Sequence, residues 1–134
     1  MIVVDTSILG YLYLNSERSA QVEQLLRTDA QWVAPVRWRS ELRSVLALYL
    51  RGRMLQLDQA EQIMDEAVRL MMGREYEVVS SHVLTLTASS TCSAYACEFV
   101  ALAMDLGVHL VTTDPQILEQ FPGHAVALGS FVGA

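Results

Sequence analysis

Hydrophobic positions along the chain follow two different periods. Short apolar runs such as residues 2–4 predict buried strands, because a strand covered on both faces needs no polar side. Apolar residues three and four apart, as between residues 37 and 51, predict helices with one buried face. The alternation of these patterns predicts a single α/β domain over residues 1–134, built on a small parallel sheet flanked by helices.

The predicted elements follow one another without a linker, a repeat or a low-complexity tract. Gly52 and Gly107 each follow a helical pattern and are predicted to close it. The predicted strands are residues 2–5, 32–35, 75–80, 108–114 and 125–128, and the predicted helices are residues 8–14, 19–28, 37–51, 58–72 and 93–106.

Two of the predicted strands end on an aspartate, Asp5 and Asp114. The carboxyl ends of parallel strands meet at one edge of a sheet, so neighbouring strands would bring both acids together. Glu41 lies one turn into the helix after the second strand, where it can lean over the same edge. The simpler interpretation of the first acid is that Asp5, Thr6 or Ser7 caps the following helix.

A cluster of carboxylates needs something to offset its charge. Two carboxylates about 4 Å apart repel by about 4 kcal/mol at an effective dielectric of 20, so a cation, a shared proton or an arginine is required. Oxygen ligands without histidine or thiolate favour Mg²⁺ or Mn²⁺ over zinc. Asp5, Glu41 and Asp114 are therefore candidate metal ligands.

The charge of the chain is unevenly distributed. A net charge of −6 argues against a nucleic-acid partner, yet all nine basic residues are arginine and five lie between residues 37 and 53. The planar guanidinium suits bidentate phosphate contact, whereas a solvated helix face explains the cluster equally well. If a nuclease site lies nearby, Arg37, Arg39 and Arg43 are candidates for contacting the phosphates of its substrate.

The sequence also suggests a location and a redox state. No apolar run reaches about 18 residues, and no basic region precedes an apolar one at the start, so a cytoplasmic protein without a membrane span is expected. Cys92 and Cys97 have no matching histidines and fit neither a zinc site nor a thioredoxin motif. Both are predicted to be buried thiols.

Three segments together resemble the PIN-domain family, in particular the VapC-like ribonuclease toxins of bacterial type II toxin–antitoxin pairs. They are VVDTSIL near the start, APVRWRSELRSVLALYLRGR in the middle and SAYACEFVALAMDLGVHLVTTD near the end. The resemblance implies a three-layer α/β/α fold, an acidic pocket for one or two divalent ions and hydrolysis of phosphodiester bonds in RNA. It also implies an antitoxin protein as a partner.

The family's acids can be carried over residue by residue. The first matches Asp5, the second Glu41 and the last Asp114, so the resemblance makes these three the catalytic residues and the ligands of Mg²⁺ or Mn²⁺. Hydroxyl residues beside them could hold metal-bound water, although capping and strand-edge roles explain them equally well. These are Thr6, Ser7, Thr112 and Thr113.

One position departs from the family's pattern. An aspartate usually follows the tyrosine of the third segment, and here that position is Ala96, a vacant ligand position. Glu98 lies about 200° further round the helix, so it is predicted to face away, towards solvent or an arginine. Three carboxylates can hold one Mg²⁺, but a second ion would have lost an anionic ligand.

The sequence therefore predicts a metal-dependent endoribonuclease of the toxin type, whose catalysis Ala96 could impair either as a natural or as an introduced change. The alternative is a degenerate PIN fold that binds RNA or protein without catalysis. A phospho-accepting receiver domain also gathers acids at strand ends, but it needs a lysine and this chain has none.

The apolar helices at residues 42–50 and 63–72, with Met64, Met71 and Met72, exceed what one small core buries. A homodimer contact or an antitoxin groove is the predicted use of that surplus.

Overall fold

The computed structural model describes residues 1–132, which form one five-stranded sheet with helices around it. In chain order the strands are β1 (Ile2–Val4), β2 (Trp32–Pro35), β3 (Glu75–Tyr76), β4 (Leu110–Thr112) and β5 (Ala125–Ala127). The helices are α1 (Thr6–Tyr13), α2 (Ser19–Thr28), α3 (Trp38–Arg51), α4 (Leu57–Met71), α5 (Ser80–Ala88), α6 (Ala94–Leu106), α7 (Pro115–Gln120) and α8 (Leu128–Phe131).

All neighbouring strands of the sheet run parallel, in the order β3-β2-β1-β4-β5. The central strand β1 pairs with β2, where Ile2 lies opposite Trp32, and with β4, where Val4 lies opposite Val111. Every residue of these three strands is buried, which requires cover on both faces of the sheet. The predicted parallel α/β fold, with helices flanking a small sheet in three layers, is confirmed.

The direction in which the chain adds strands to the sheet changes at the central strand β1. The chain first builds outward from β1 to β3 and then adds β4 and β5 on the other side of β1. Ligands of open α/β sheets bind at the carboxyl ends of the strands where this direction changes. The boundary between β1 and β4 is therefore where a site is expected, and Asp5 and Asp114 follow these two strands.

Helix α6 lies in the core and contacts β1, β2 and β4. Its buried positions run almost without interruption from Cys97 to Ala103, so it has no wide polar face. The Ser93 side chain caps its first turn by accepting a hydrogen bond from the Ala96 amide at 3.1 Å. Gly107 ends it with a φ of 67°, a left-handed conformation that glycine adopts without strain.

The prediction of a strand over residues 75–80 is wrong beyond Tyr76, because α5 begins at Ser80. Serine, threonine and valine make α5 a poor helix by intrinsic propensity. The hydroxyls of Thr85 and Thr87 each donate to the carbonyl four residues earlier, at 2.8 Å, and α5 packs against α6. Tertiary packing thus overrides a local preference for extended structure.

Other boundaries differ by smaller amounts. The first helix begins at Thr6 rather than at residue 8, and the short helices α7 and α8 were not among the predicted elements. Cys92 and Cys97 are free and buried, as predicted. Within residues 1–132, no helix is long and apolar enough to cross a membrane. The predicted single domain ends at residues 133–134, which lie outside the described part of the chain.

Candidate active site

The three predicted acids lie on elements that meet at the carboxyl edge of the sheet. Asp5 directly follows β1, Asp114 follows β4, and Glu41 lies in the first turn of α3, the helix that comes after β2. Since β1 pairs with both β2 and β4, this edge brings the three segments together. Asp5 and Glu41 line one pocket, whose other walls include Thr6, Ser7, Arg37, Ser44 and Val45.

Asp5 is half-buried at the end of β1. Burial raises the pKa of its carboxyl group, the Thr112 hydroxyl opposes the rise by donating to Oδ2 at 2.6 Å, and the negative charge of Asp114 adds to it. The same Thr112 oxygen accepts a hydrogen bond from the Asp114 amide at 3.0 Å. Thr112 is fully buried and therefore joins the two aspartates by a fixed bridge.

Glu41 is half-buried above Asp5. Burial raises the pKa of its carboxyl group, and the hydroxyl of Thr6, which donates to Oε1 at 3.1 Å, lowers it. The charge of Asp5 raises this pKa further, whereas the charge of Arg37 lowers it. Asp5 therefore acts on Glu41 across the pocket they share.

Asp114 has a different local role. Its Oδ1 accepts hydrogen bonds from the amides of Gln116 at 2.9 Å and Ile117 at 3.4 Å, which caps α7. Asp5 occupies the N-cap position of α1 without a side-chain capping bond. The capping interpretation that competed for Asp5 thus describes Asp114 instead.

The candidate supporting hydroxyls lie around this edge. Thr6 contacts Glu41, and the hydroxyls of Ser7 and Thr113 approach each other at 3.5 Å between α1 and the end of β4. Thr112 has the most direct contact with an acid. Its position beside Asp114 was visible in the sequence, but its contact with Asp5 depends on the pairing of β1 with β4.

The donor groups fit a hard divalent ion in their chemistry, since all are carboxylate or hydroxyl oxygens. In residues 1–132, however, no three histidine, cysteine or acidic side chains lie close enough together to form a metal-binding group. The acids interact instead as pairs, Asp5 with Glu41 and Asp5 with Asp114. Coordination of one ion by all three acids therefore stays a prediction, and at Asp114 the capping bonds engage only Oδ1.

The structure separates the three candidate arginines. Arg37 lines the acidic pocket and stacks on Tyr95, with 3.5 Å between its Cζ and the ring centroid. Arg39 is held by Glu75 through two hydrogen bonds of 2.6 Å. Arg43 lies in the groove between α3 and α4. Only the first of the three lines the acidic pocket beside Asp5.

The Glu75 carboxylate ties α3 to β3. It accepts hydrogen bonds from the Arg39 guanidinium and, at 2.8 Å, from the indole nitrogen of the buried Trp38. The hydrogen bonds of Arg39 lower the pKa of Glu75, burial opposes this, and the Trp38 bond lowers it again. Glu75 therefore stabilises the fold above the carboxyl's ordinary pKa, and this contribution is lost as the pH falls through the lowered value.

We expect Glu75→Gln to lower the free energy of unfolding by about 2 kcal/mol at neutral pH, because a charged acceptor becomes a neutral one. The difference from wild type should shrink as the solution is acidified, which urea unfolding at several pH values would measure. Glu77→Gln changes the same charge on an exposed residue two positions away and serves as the control. A difference that grows on acidification would contradict this role of Glu75.

Ala96 and Glu98 both lie in the first half of α6. Ala96 is half-buried and packs against the core. Glu98 is half-buried as well, and its charge contributes to the raised pKa of Glu41. The prediction that Glu98 faces away from the acids is therefore wrong, because its carboxylate lies within electrostatic range of them. The alternative that it interacts with an arginine agrees with the effect of Arg37, whose charge opposes the rise that burial causes in the pKa of Glu98.

The structure is that of an α/β protein with a parallel sheet, and one pocket at the carboxyl edge of that sheet holds acidic side chains and an arginine. A family model described as the PIN domain matches residues 2–122, and the chain belongs to the PIN-domain family. The resemblance of the three sequence segments is thereby confirmed.

Two proteins of Pyrobaculum aerophilum resemble the chain over most of its length. Ribonuclease VapC3 is 29% identical over 125 residues, which are 90% of this chain and 95% of that protein. The crystal structure of PAE2754 superposes with a TM-score of 0.71 at 19% identity, covering 98% of this chain and 92% of the other. The second likeness concerns the fold alone.

Proposed function

We propose that this protein is a metal-dependent endoribonuclease that acts as the toxin of a toxin–antitoxin pair. The observation that carries the proposal is the half-buried Asp5, whose carboxylate shares the carboxyl edge of a PIN fold with Glu41 and Asp114. Burying acids beside one another costs stability, and the cost is recovered only where a cation or a reaction uses them. The similarity to Ribonuclease VapC3 supports RNA as the substrate.

Asp5, Glu41 and Asp114 would hold Mg²⁺ or Mn²⁺. When bound, such an ion supplies Lewis-acid catalysis for phosphodiester hydrolysis. The chain's own residues prepare the site, because Thr112 fixes the orientation of Asp5 and Thr6 fixes that of Glu41. Both hydroxyls donate to carboxylate oxygens and so favour the ionised forms that bind a cation.

Arg37 is the proposed contact for a phosphate of the RNA, since its guanidinium lines the pocket of the acids. A net charge of −6 repels RNA at long range, so a cation inside the pocket matters more here than in a basic protein. Arg39 and Arg43 remain candidates for weaker contacts further along the backbone, with Arg39 already occupied by Glu75.

The groove between α3 and α4 is the proposed surface for an antitoxin or for a second copy of the chain. Apolar side chains line it, and Arg43 and Glu61 lie among them; the apolar members are Leu46, Ala47, Leu50, Ala60 and Met64. Of the other methionines considered, Met71 is fully buried in the core, whereas Met72 is exposed. The apolar surplus predicted for these helices is thus only partly taken up by the core.

Cleavage of a labelled single-stranded RNA in Mn²⁺, in Mg²⁺ and in chelator tests the function. We expect cleavage only with metal, and we expect Glu41→Gln to lower its rate at least about tenfold, because a direct ligand is lost. Glu77→Gln removes the same charge from an exposed position and should cleave like wild type. Equal loss in both variants would contradict the assignment of Glu41.

The vacant position at Ala96 favours a second candidate function, a PIN fold that binds RNA or protein without cutting RNA. This candidate predicts RNA binding of equal strength in chelator and in Mn²⁺, with no cleavage in either. Gel-shift and cleavage assays on the same preparation separate the two functions.

A further inference from the structure

Four side chains form a cluster between α3 and α6, at the rim of the acidic pocket. Arg37 and Glu41 are four residues apart at the start of α3, and Tyr95 and Glu98 are three residues apart on α6. Residues at these spacings share one face of a helix. The two faces meet through Arg37, whose guanidinium lies against the ring of Tyr95.

The guanidinium of Arg37 is held by stacking rather than by an ion pair. Its Cζ lies 3.5 Å from the Tyr95 ring centroid, close enough for a cation–π interaction. Its Nε is buried without a hydrogen-bond partner. Among the ion pairs of residues 1–132, none involves Arg37. Stacking on Tyr95 therefore holds the positive charge of Arg37 in place, and no single carboxylate forms an ion pair with it.

Two carboxylates nevertheless depend on this charge. Burial raises the pKa of Glu98, and the positive charge of Arg37 opposes that rise. Arg37 acts on Glu41 in the same direction, while Glu98 and Asp5 act on Glu41 in the opposite direction. The guanidinium that lines the pocket of Asp5 and Glu41 thus offsets part of the repulsion between these acids.

We propose that Arg37, stacked on Tyr95 in the pocket that Asp5 and Glu41 line, is the resident cation of the acidic site and does the electrostatic work of a second divalent ion. This inference rests on the proposed metal site. Ala96 supplies no carboxylate for a second ion, and Arg37 neutralises the acids that remain. The pocket then accepts at most one divalent ion, and Arg37 lowers its affinity by repulsion.

The affinity for Mn²⁺ without RNA tests this proposal, measured from the rise in melting temperature as the ion is added. Arg37→Gln removes the charge beside the acids and should bind Mn²⁺ at least about tenfold more tightly than wild type. Arg51→Gln makes the same charge change in the exposed last turn of α3, far from the acids, and should match wild type. Arg37→Met, which keeps an apolar contact with Tyr95, should behave like Arg37→Gln and guards against a folding defect.

The second carboxylate gives a further check. Adding Glu98→Gln to Arg37→Gln should remove much of the gain in affinity, because the site then loses one of the two acids that Arg37 had neutralised. Equal affinity in wild type and in both Arg37 variants would overturn the proposal, and so would the absence of Mn²⁺ binding in all of them.

Failure of the proposed function has a different signature. If Mn²⁺ stabilises only the Arg37 variants, the resident cation is supported while metal-dependent cleavage by the wild type is contradicted. If Mn²⁺ stabilises all variants equally, the metal site stands and the resident cation does not.

Discussion

Asp5→Asn is expected to lower RNA cleavage by at least about 100-fold, since the proposed metal site loses the carboxylate that follows β1. Asparagine has nearly the same shape and retains an oxygen that can accept the hydrogen bond from Thr112. The loss would therefore come from charge rather than from misfolding. Cleavage rates of wild type and variant in saturating Mn²⁺ provide the measurement.

The same substitution is expected to stabilise the chain in chelator at neutral pH. The pKa of Asp5 is raised in the folded state, mainly by burial, so the folded chain binds more protons than the unfolded chain. The contribution of Asp5 to wild-type stability must then fall as the pH rises from the ordinary pKa of 3.8 through the raised value. The Asp5→Asn variant lacks this loss. Urea unfolding at several pH values should therefore show that the variant's advantage in free energy of unfolding over wild type grows as the pH rises. A variant that is inactive and also less stable at neutral pH would indicate a structural role for Asp5 instead.

Ala96→Asp is expected to raise RNA cleavage by at least about tenfold, because the family's usual acid is restored. A fourth carboxylate adds repulsion to the site when no metal is present. The variant should therefore be less stable than wild type in chelator and recover in Mg²⁺ or Mn²⁺, since an ion bound only by the folded state stabilises it. Thermal unfolding with and without the ion, beside cleavage rates, measures both effects.

Ala94→Asp is the matched control for this variant. It places the same charge two residues earlier in the first turn of α6, where Ala94 is exposed. Both variants gain the favourable effect of an acid near a helix start, so only the contact with the site differs. If Ala96→Asp changes neither property while Glu98→Ala abolishes cleavage, Glu98 is the acid of this helix that serves the site.

The sequence was most informative where a local pattern had a direct structural consequence. Apolar runs followed by an acid placed β1 and β4 and the backbone positions of Asp5 and Asp114. The bridge through Thr112 was not predictable in the same way, because it depends on which strands are neighbours. The stacking of Arg37 on Tyr95 likewise joins helices that are distant in sequence.

Helix periodicity was misleading where tertiary contacts dominated. The angle between Ala96 and Glu98 suggested that one faces the core and the other faces solvent. Because α6 is buried on most sides, a residue on the opposite face of this helix can still lie beside other parts of the protein. In the same way, hydroxyl-rich α5 is a helix because its threonines bond to its own carbonyls and α6 covers it. Both errors arise from judging a segment without its neighbours.

The central place of β1 has a consequence for the synthesis of the protein. Strand β1 needs β4 as a neighbour, yet β4 leaves the ribosome only after helices α1 to α6 have been made. Domains form their structure as chain becomes available during translation. Asp5 can contact Thr112 and Asp114 only after both have been synthesised. A nascent chain that contains Asp5 and Glu41 but not Asp114 therefore has no complete site. The proposed active site can therefore be completed only after translation has passed β4.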